Sequence, residues 1–208
     1  YGYKYFILRD EFRLFSVKTY STDTKLKTLT IIFGGVDINN LTMKTLNAIE
    51  ILEAKAVNIN VIVGPGYINL NKLRIYINEF SRQGYKVKLY STPDFIADII
   101  YSSDLVITSN GRTLYEVVSL AIPVISIAQN ERELKHPFAY ISKGIEFLGS
   151  ASNISLNTIA NSIKQFIQNP ELLVKYNRML LPYAHDIRRG IKRVLRIIFD
   201  MVIEYGSD

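Results

Sequence analysis

The residues best suited to chemistry are Asn110, Gly111, Arg112, Thr113 and Glu116, in the stretch SNGRTLYEV that joins DLVITS to VSLAIPVISI. Gly111 permits close backbone approach, Thr113 brings a hydroxyl to a helix start, and the free amides of that first turn favour an anion such as a pyrophosphate. Arg112 carries a guanidinium that can fork onto phosphate oxygens. Glu116, one turn further on, can accept from the two hydroxyls of a ribose. The competing account needs no ligand: Glu116 is an early acid complementing the helix dipole, and Arg112 is its solvated neighbour.

The elements that must hold these residues alternate along the chain. Short Val- and Ile-rich runs occur at TLTIIF (28–33), INVIV (59–63), KVKLY (86–90), DLVITS (104–109), PVISIA (123–128) and IEFLG (145–149). Between them lie segments of helical period: Leu41 to Lys55, Asn69 to Gln83, Asp94 to Ser102, Thr113 to Leu120 and Leu134 to Ser142. Strands without polar alternation, separated by helices, predict a parallel sheet covered on both faces. The expected fold is α/β, a Rossmann-like parallel sheet of about six strands with helices on both faces and a helical tail. Asn40, Asn69 and Asp94 are the expected helix caps, with Gly84 and Gly144 at helix ends. After Ser150 the pattern is helical only: Leu156 to Gln168, Pro170 to Leu181, and Ile187 to about Tyr205.

In such a sheet, ligands bind beyond the carboxyl ends of the strands. The loops there are GGVDINN (34–40), GPGYIN (64–69), STPD (91–94), NGRT (110–113) and QNERE (129–133). Gly34 and Gly35 can bring bare amides to a phosphate, or they make a tight strand-to-helix turn. Gly64-Pro65-Gly66 reads foremost as a turn.

The 208 residues, 48% of them hydrophobic, suffice for a sizeable core. Three regions are expected: 1–27, a leading segment and interdomain linker without its own core; 28–150, the Rossmann-like ligand-binding domain; and 151–208, helices packed on that domain. The chain does not begin with Met, and we expect it to be part of a longer protein. With no cysteine, disulfides, thiolate metal sites and a cysteine nucleophile are excluded. Two histidines, His136 and His185, stand far apart, so no metal and no cofactor are expected. His136, near the 129–133 loop, is the better functional candidate of the two.

The formal net charge of +6 favours an anionic partner. Nucleic acid is not expected, because no RNA- or DNA-binding motif accompanies the charge. The stretch DIRRGIKRVLRIIFDMVIEY sets Ile187, Ile191, Val194, Leu195, Ile198 and Val202 in one stripe, with Arg188, Arg189, Lys192, Arg193 and Arg196 largely off it. That pattern fits a docked surface helix, with peripheral contact to an anionic membrane as its second use. The expected location is cytoplasmic, with or without membrane association.

The segments FILRDEF, FGGVD, VIVGPGY, DLVITSNGRTLYEVVSLAIPVISIAQNERE, GIEFLG and DIRRGIKRV fall in the order and spacing of the carboxyl-terminal half of PseG-like proteins. The chain resembles that group over about residues 5–198. It comprises the UDP-sugar hydrolase of pseudaminic acid biosynthesis and spore-coat polysaccharide proteins of SpsG type. It is similar in turn to the carboxyl-terminal domain of GT-B glycosyltransferases such as MurG. The resemblance implies a two-domain enzyme of surface polysaccharide or nonulosonic acid biosynthesis, with the UDP part of a UDP-sugar held in this half. It places Gly34 and Gly35 on the phosphate side and Tyr90 to Phe95 at the base. Ser109, Asn110, Gly111, Arg112 and Thr113 fall at the diphosphate, Glu116 at the ribose, and Gln129 with Asn130 at the sugar. The partner implied for catalysis is a missing amino-terminal domain, which supplies the family's histidine; the catalytic residues are therefore unassigned. The chain departs from the family's Gly-Gly-Ser-Thr loop at Asn110 and Arg112, has Val36 where serine is usual, and matches the Asn-Gln pair only loosely at AQNERE. A non-catalytic binding module that keeps the fold is the alternative. A dinucleotide oxidoreductase is disfavoured, since FGGVDINN lacks the Gly-x-Gly-x-x-Gly spacing.

Overall fold

A computed structural model describes residues 2–205. Its centre is a sheet of β1 (Thr28–Ile32), β2 (Asn58–Val63), β3 (Lys86–Ser91), β4 (Leu105–Ser109), β5 (Val124–Ala128) and β6 (Ile145–Ser150). All the pairings are parallel, and the order is β3-β2-β1-β4-β5-β6. The direction of winding reverses between β1 and β4, which opens a crevice at their carboxyl ends.

The inner strands are buried on both sides because each feeds two cores, whereas the edge strand β3 leaves Lys86 and Lys88 exposed. Leu29, Ile31, Leu105, Ile107, Ile125 and Ile127 point to one face, where α2 (Leu41–Ile51), α3 (Leu70–Arg82) and α8 (Leu156–Gln168) pack. Ile32, Val106 and Val124 point to the other, covered by α1 (Asp10–Arg13), α4 (Ala97–Tyr101), α5 (Arg112–Ser119), α7 (Phe138–Ile141) and α9 (Glu171–Arg188). The Rossmann-like α/β class expected from the alternation is the one observed.

Helix boundaries differ where distant residues intervene. Asn40 lies in the left-handed region at φ 51° and does not cap α2; Asp37 does, accepting from the amides of Leu41 and Thr42 at 2.8 Å each. Asn69 makes no side-chain cap bond to α3. Asp94 lies before α4, whose first amides, Ile96 and Ala97, donate instead to Glu11 Oε2 at 2.8 and 3.0 Å. The helix expected over 134–142 is reduced to α7, which starts only after His136-Pro137 because the proline ring disfavours helix at the residue before it, and a separate short helix, α6 (Glu131–Leu134), forms in the stretch expected as a loop. α9 runs through Pro182, where the expected helix stopped; that proline is on the exposed side, so water can serve the freed carbonyl of Arg178.

The leading residues lie on the second core. Leu8 and Phe12 are buried there, and the amide of Tyr20 donates to Asn177 Oδ1 at 3.1 Å. α10 (Gly190–Tyr205) starts against Phe6, and Arg193 there binds Asp186. Of the predicted stripe, Ile187 is buried and Ile191 and Val194 are half-buried, whereas Leu195, Ile198 and Val202 farther along are exposed, so its outer half is undocked. No helix among the described residues is long and apolar enough to cross a membrane.

Candidate functional site

The loops after β1 and β4 leave the same edge of the sheet side by side, at the switch between those strands. Gly34 adopts φ +80°, and a Cβ at Gly34 or Gly35 would meet nothing within 4 Å, so this turn is open. Gly64 and Gly66 serve packing: a Cβ on Gly64 would stand 2.5 Å from the Gly35 Cα, and the amide of Gly66 donates to the Gly35 carbonyl at 2.9 Å. The β2 loop thereby props the β1 loop from behind. Gln129, at the end of β5, reaches across β4 and donates from Nε2 to the Phe33 carbonyl at 2.9 Å. Asn39 Nδ2 returns a bond to the Gln129 carbonyl at 2.6 Å. The ends of β2, β1 and β5 are therefore fixed relative to one another.

Beside them, α5 begins at the edge of a cleft of about 360 Å³, lined by Asn110, Gly111, Arg112 and Asn130 from the expected set. Tyr115, Arg132, Glu133 and His136 complete the lining. Asn110 is only 1% exposed, and its Nδ2 ties the loop to the carbonyls of Glu133 and His136 at 2.7 and 3.1 Å. Its Oδ1 is buried without a partner, an acceptor that costs free energy until a donor reaches it. The space over Gly111 is shared with Glu133, whose Oε1 lies 3.2 Å from where a Cβ would stand. Asn130 caps α6 by accepting from the Glu133 amide at 3.0 Å.

The remaining expected residues are distributed as follows. Ser109 and Thr113 are buried at the β4 end and the α5 start. Arg112 donates to the Ile7 carbonyl at 3.2 Å and lies over the Phe6 ring at 5.0 Å. Phe6 stacks on Tyr115 at 4.5 Å, and Tyr115 on Phe138 at 4.4 Å, which fastens the leading segment along α5. Glu116 is 1% exposed. Both its oxygens accept from Arg9, from Nε at 2.7 Å and from Nη2 at 2.8 Å. That bond to Glu116 raises the Arg9 pKa, keeping the guanidinium charged. Phe95 is exposed at the α4 entrance, apart from the cleft.

Arg9, Tyr115 and Arg132 had no signal in the local pattern, because each acquires its place through long-range packing. His136 was the favoured histidine and does line the cleft. Its Nε2 pairs with the Tyr115 hydroxyl at 2.9 Å, and burial, then the charge of Arg132, lowers its pKa. Burial pushes the Tyr115 phenol up to about 12, so it remains a donor at neutral pH. A histidine with a depressed folded pKa contributes stability that is complete above its unfolded value and lost as pH falls through the folded value. The fall in Tm from pH 7 to pH 5 is therefore expected to be shallower in His136→Asn than in wild type, as read by calorimetry at each pH. Equal slopes contradict a histidine held neutral. No group of described residues has the composition of a metal site.

The parallel six-stranded sheet with loops at its switch point is a Rossmann-like fold. Several solved structures are similar to the chain in that fold. UDP-GlcNAc 2-epimerase from Neisseria meningitidis, bound to UDP-GlcNAc, shares 18% identity at a TM-score of 0.61, over 86% of this chain and 45% of that one. MurG of Acinetobacter baumannii shares 15% identity at a TM-score of 0.61, over 88% of this chain and 52% of that one. In sequence, an uncharacterized protein of Methanocaldococcus jannaschii is 36% identical over 147 residues, 69% of this chain and 30% of that protein. The chain thus spans about half the length of these solved relatives and a third of the curated one. No family model matches it.

Proposed function

We propose that this chain binds the nucleotide of a UDP-sugar and forms one half of a GT-B-type glycosyltransferase or PseG-like UDP-sugar hydrolase. The observation that carries the reading is the open Gly34-Gly35 turn at the end of β1, next in the sheet to β4, which runs into the α5 amino terminus at the β1/β4 switch. In this reading the amides of the first turn of α5, with Thr113 and Arg112, receive the diphosphate, and Glu116 receives the ribose hydroxyls. The unpaired Asn110 Oδ1 supports a ligand that brings a donor to the cleft. The same dipole and cations stabilise charge building on departing UDP. A second half of the protein supplies the group that activates water or an acceptor hydroxyl.

Thermal denaturation with UDP, CMP, GDP and NAD tests the proposal. UDP at about 100 times its Kd is expected to stabilise by about 2.7 kcal/mol, which in a domain of this size raises Tm by roughly 5–11 °C. Glu116→Ala is expected to lose that rise while remaining folded. A folded wild-type chain indifferent to all four nucleotides points to a non-catalytic module.

A further inference from the structure

Arg9 stands between two acids. It forks onto Glu116 and also holds Glu11 Oε1 at 2.9 Å from Nη1. Glu116 is sealed beneath this contact, whereas 43% of the Arg9 side chain is exposed. A ribose cannot reach the Glu116 carboxylate until the guanidinium moves. Glu116 lies one helical turn inside α5, and a turn is about 5.4 Å. The α5 terminus, with its unpaired Asn110 Oδ1, is therefore within the swing of an arginine side chain rooted at position 9.

We propose that Arg9 is a displaceable counter-ion of the nucleotide site. With no nucleotide bound it neutralises Glu116. When a nucleoside diphosphate enters, the ribose hydroxyls replace the guanidinium on Glu116, and the guanidinium turns to the diphosphate at the α5 terminus. The exchange leaves neither group without a partner: the carboxylate gives up an ion pair for two hydroxyl donors, and the cation gains the charged diphosphate. Glu11 stays on the Ile96 and Ala97 amides and keeps the arm in place. Fastening by Phe6 and Arg112 likewise leaves the backbone where it is, so only a side chain needs to move.

This inference rests on the nucleotide reading above, and its test separates the two. Uridine and UDP are titrated into the full chain and into Arg9→Met, with ligand-observed NMR for the weak nucleoside and calorimetry for UDP. The exchange predicts opposite signs. Arg9→Met should bind uridine several-fold more tightly, because Glu116 is already vacant, and UDP about tenfold more weakly, a factor worth 1.4 kcal/mol. Parallel losses for both ligands, or no gain for uridine, overturn the exchange and leave Arg9 a fixed structural partner. UDP that fails to bind the folded wild-type chain removes the nucleotide reading itself. If Arg9→Met does not fold, Arg9→Lys, which keeps the charge without the fork, is expected to bind uridine more tightly and to retain UDP; unchanged uridine binding there overturns the exchange equally.

Discussion

Gly64→Ala is expected to cost about 3 kcal/mol, at the upper end of what overpacking a tight interior brings, and to abolish the UDP response. The added methyl would lie 2.5 Å from the Gly35 Cα and 2.8 Å from the carbonyl oxygens of Gly34 and Gly35. All three are backbone atoms, so no rotamer change relieves the contact. The β1 loop must move, and it leaves the strand next to β4, whose end runs into α5. In a chain of about 200 residues the loss corresponds to a Tm fall of roughly 6–12 °C. Gly111→Ala is the control at the same site, because its nearest neighbours are the side-chain oxygens of Glu133 and Ser109 at 3.2 and 3.4 Å. A Gly64→Ala protein with wild-type Tm would contradict the propping of one loop by the other.

Asn177→Leu is the second large effect, also about 3 kcal/mol, and it should leave the UDP response intact. This side chain, 1% exposed on α9, accepts from the Tyr20 amide at 3.1 Å. It donates to the carbonyls of Lys18 and Ala121 at 2.8 and 2.7 Å. One carboxamide therefore joins the leading segment, the turn after α5 and α9. Leucine of similar volume leaves those backbone groups buried and unserved, at about 1–3 kcal/mol each before relaxation. Denaturant titration reads the loss as a lower midpoint, and a midpoint unchanged from wild type would show the clasp to be redundant.

The sheet was legible because the inner strands β1, β4 and β5 are buried along nearly their whole length, which only cover on both faces explains, whereas the edge strand β3 alternates Lys86 and Lys88 with Val87 and Leu89. The β4 to α5 stretch was legible for a similar reason: Gly111, Thr113 and Glu116 carry their meaning within one helical turn. What escaped was set by distant residues. Glu11, 85 positions before Ile96, caps α4, so Asp94 has no capping role. Arg9 and Glu116 are 107 positions apart, and no local pattern announces that the ribose candidate is already paired. The Pro137 break was present in the sequence, but the apolar spacing around it masked that α7 starts only after it. The tail's amphipathic stripe predicted docking, yet beyond the first turns of α10 nothing among the described residues covers it.

The most direct test of the central claim is a nitrogen-proton NMR titration of the labelled chain with UDP. The account predicts shifts concentrated at the amides of Gly34, Gly35, Gly111, Arg112, Thr113 and Glu116, saturating together with one dissociation constant. Shifts clustered away from the β1/β4 switch, or a spectrum unchanged at millimolar UDP, would contradict it.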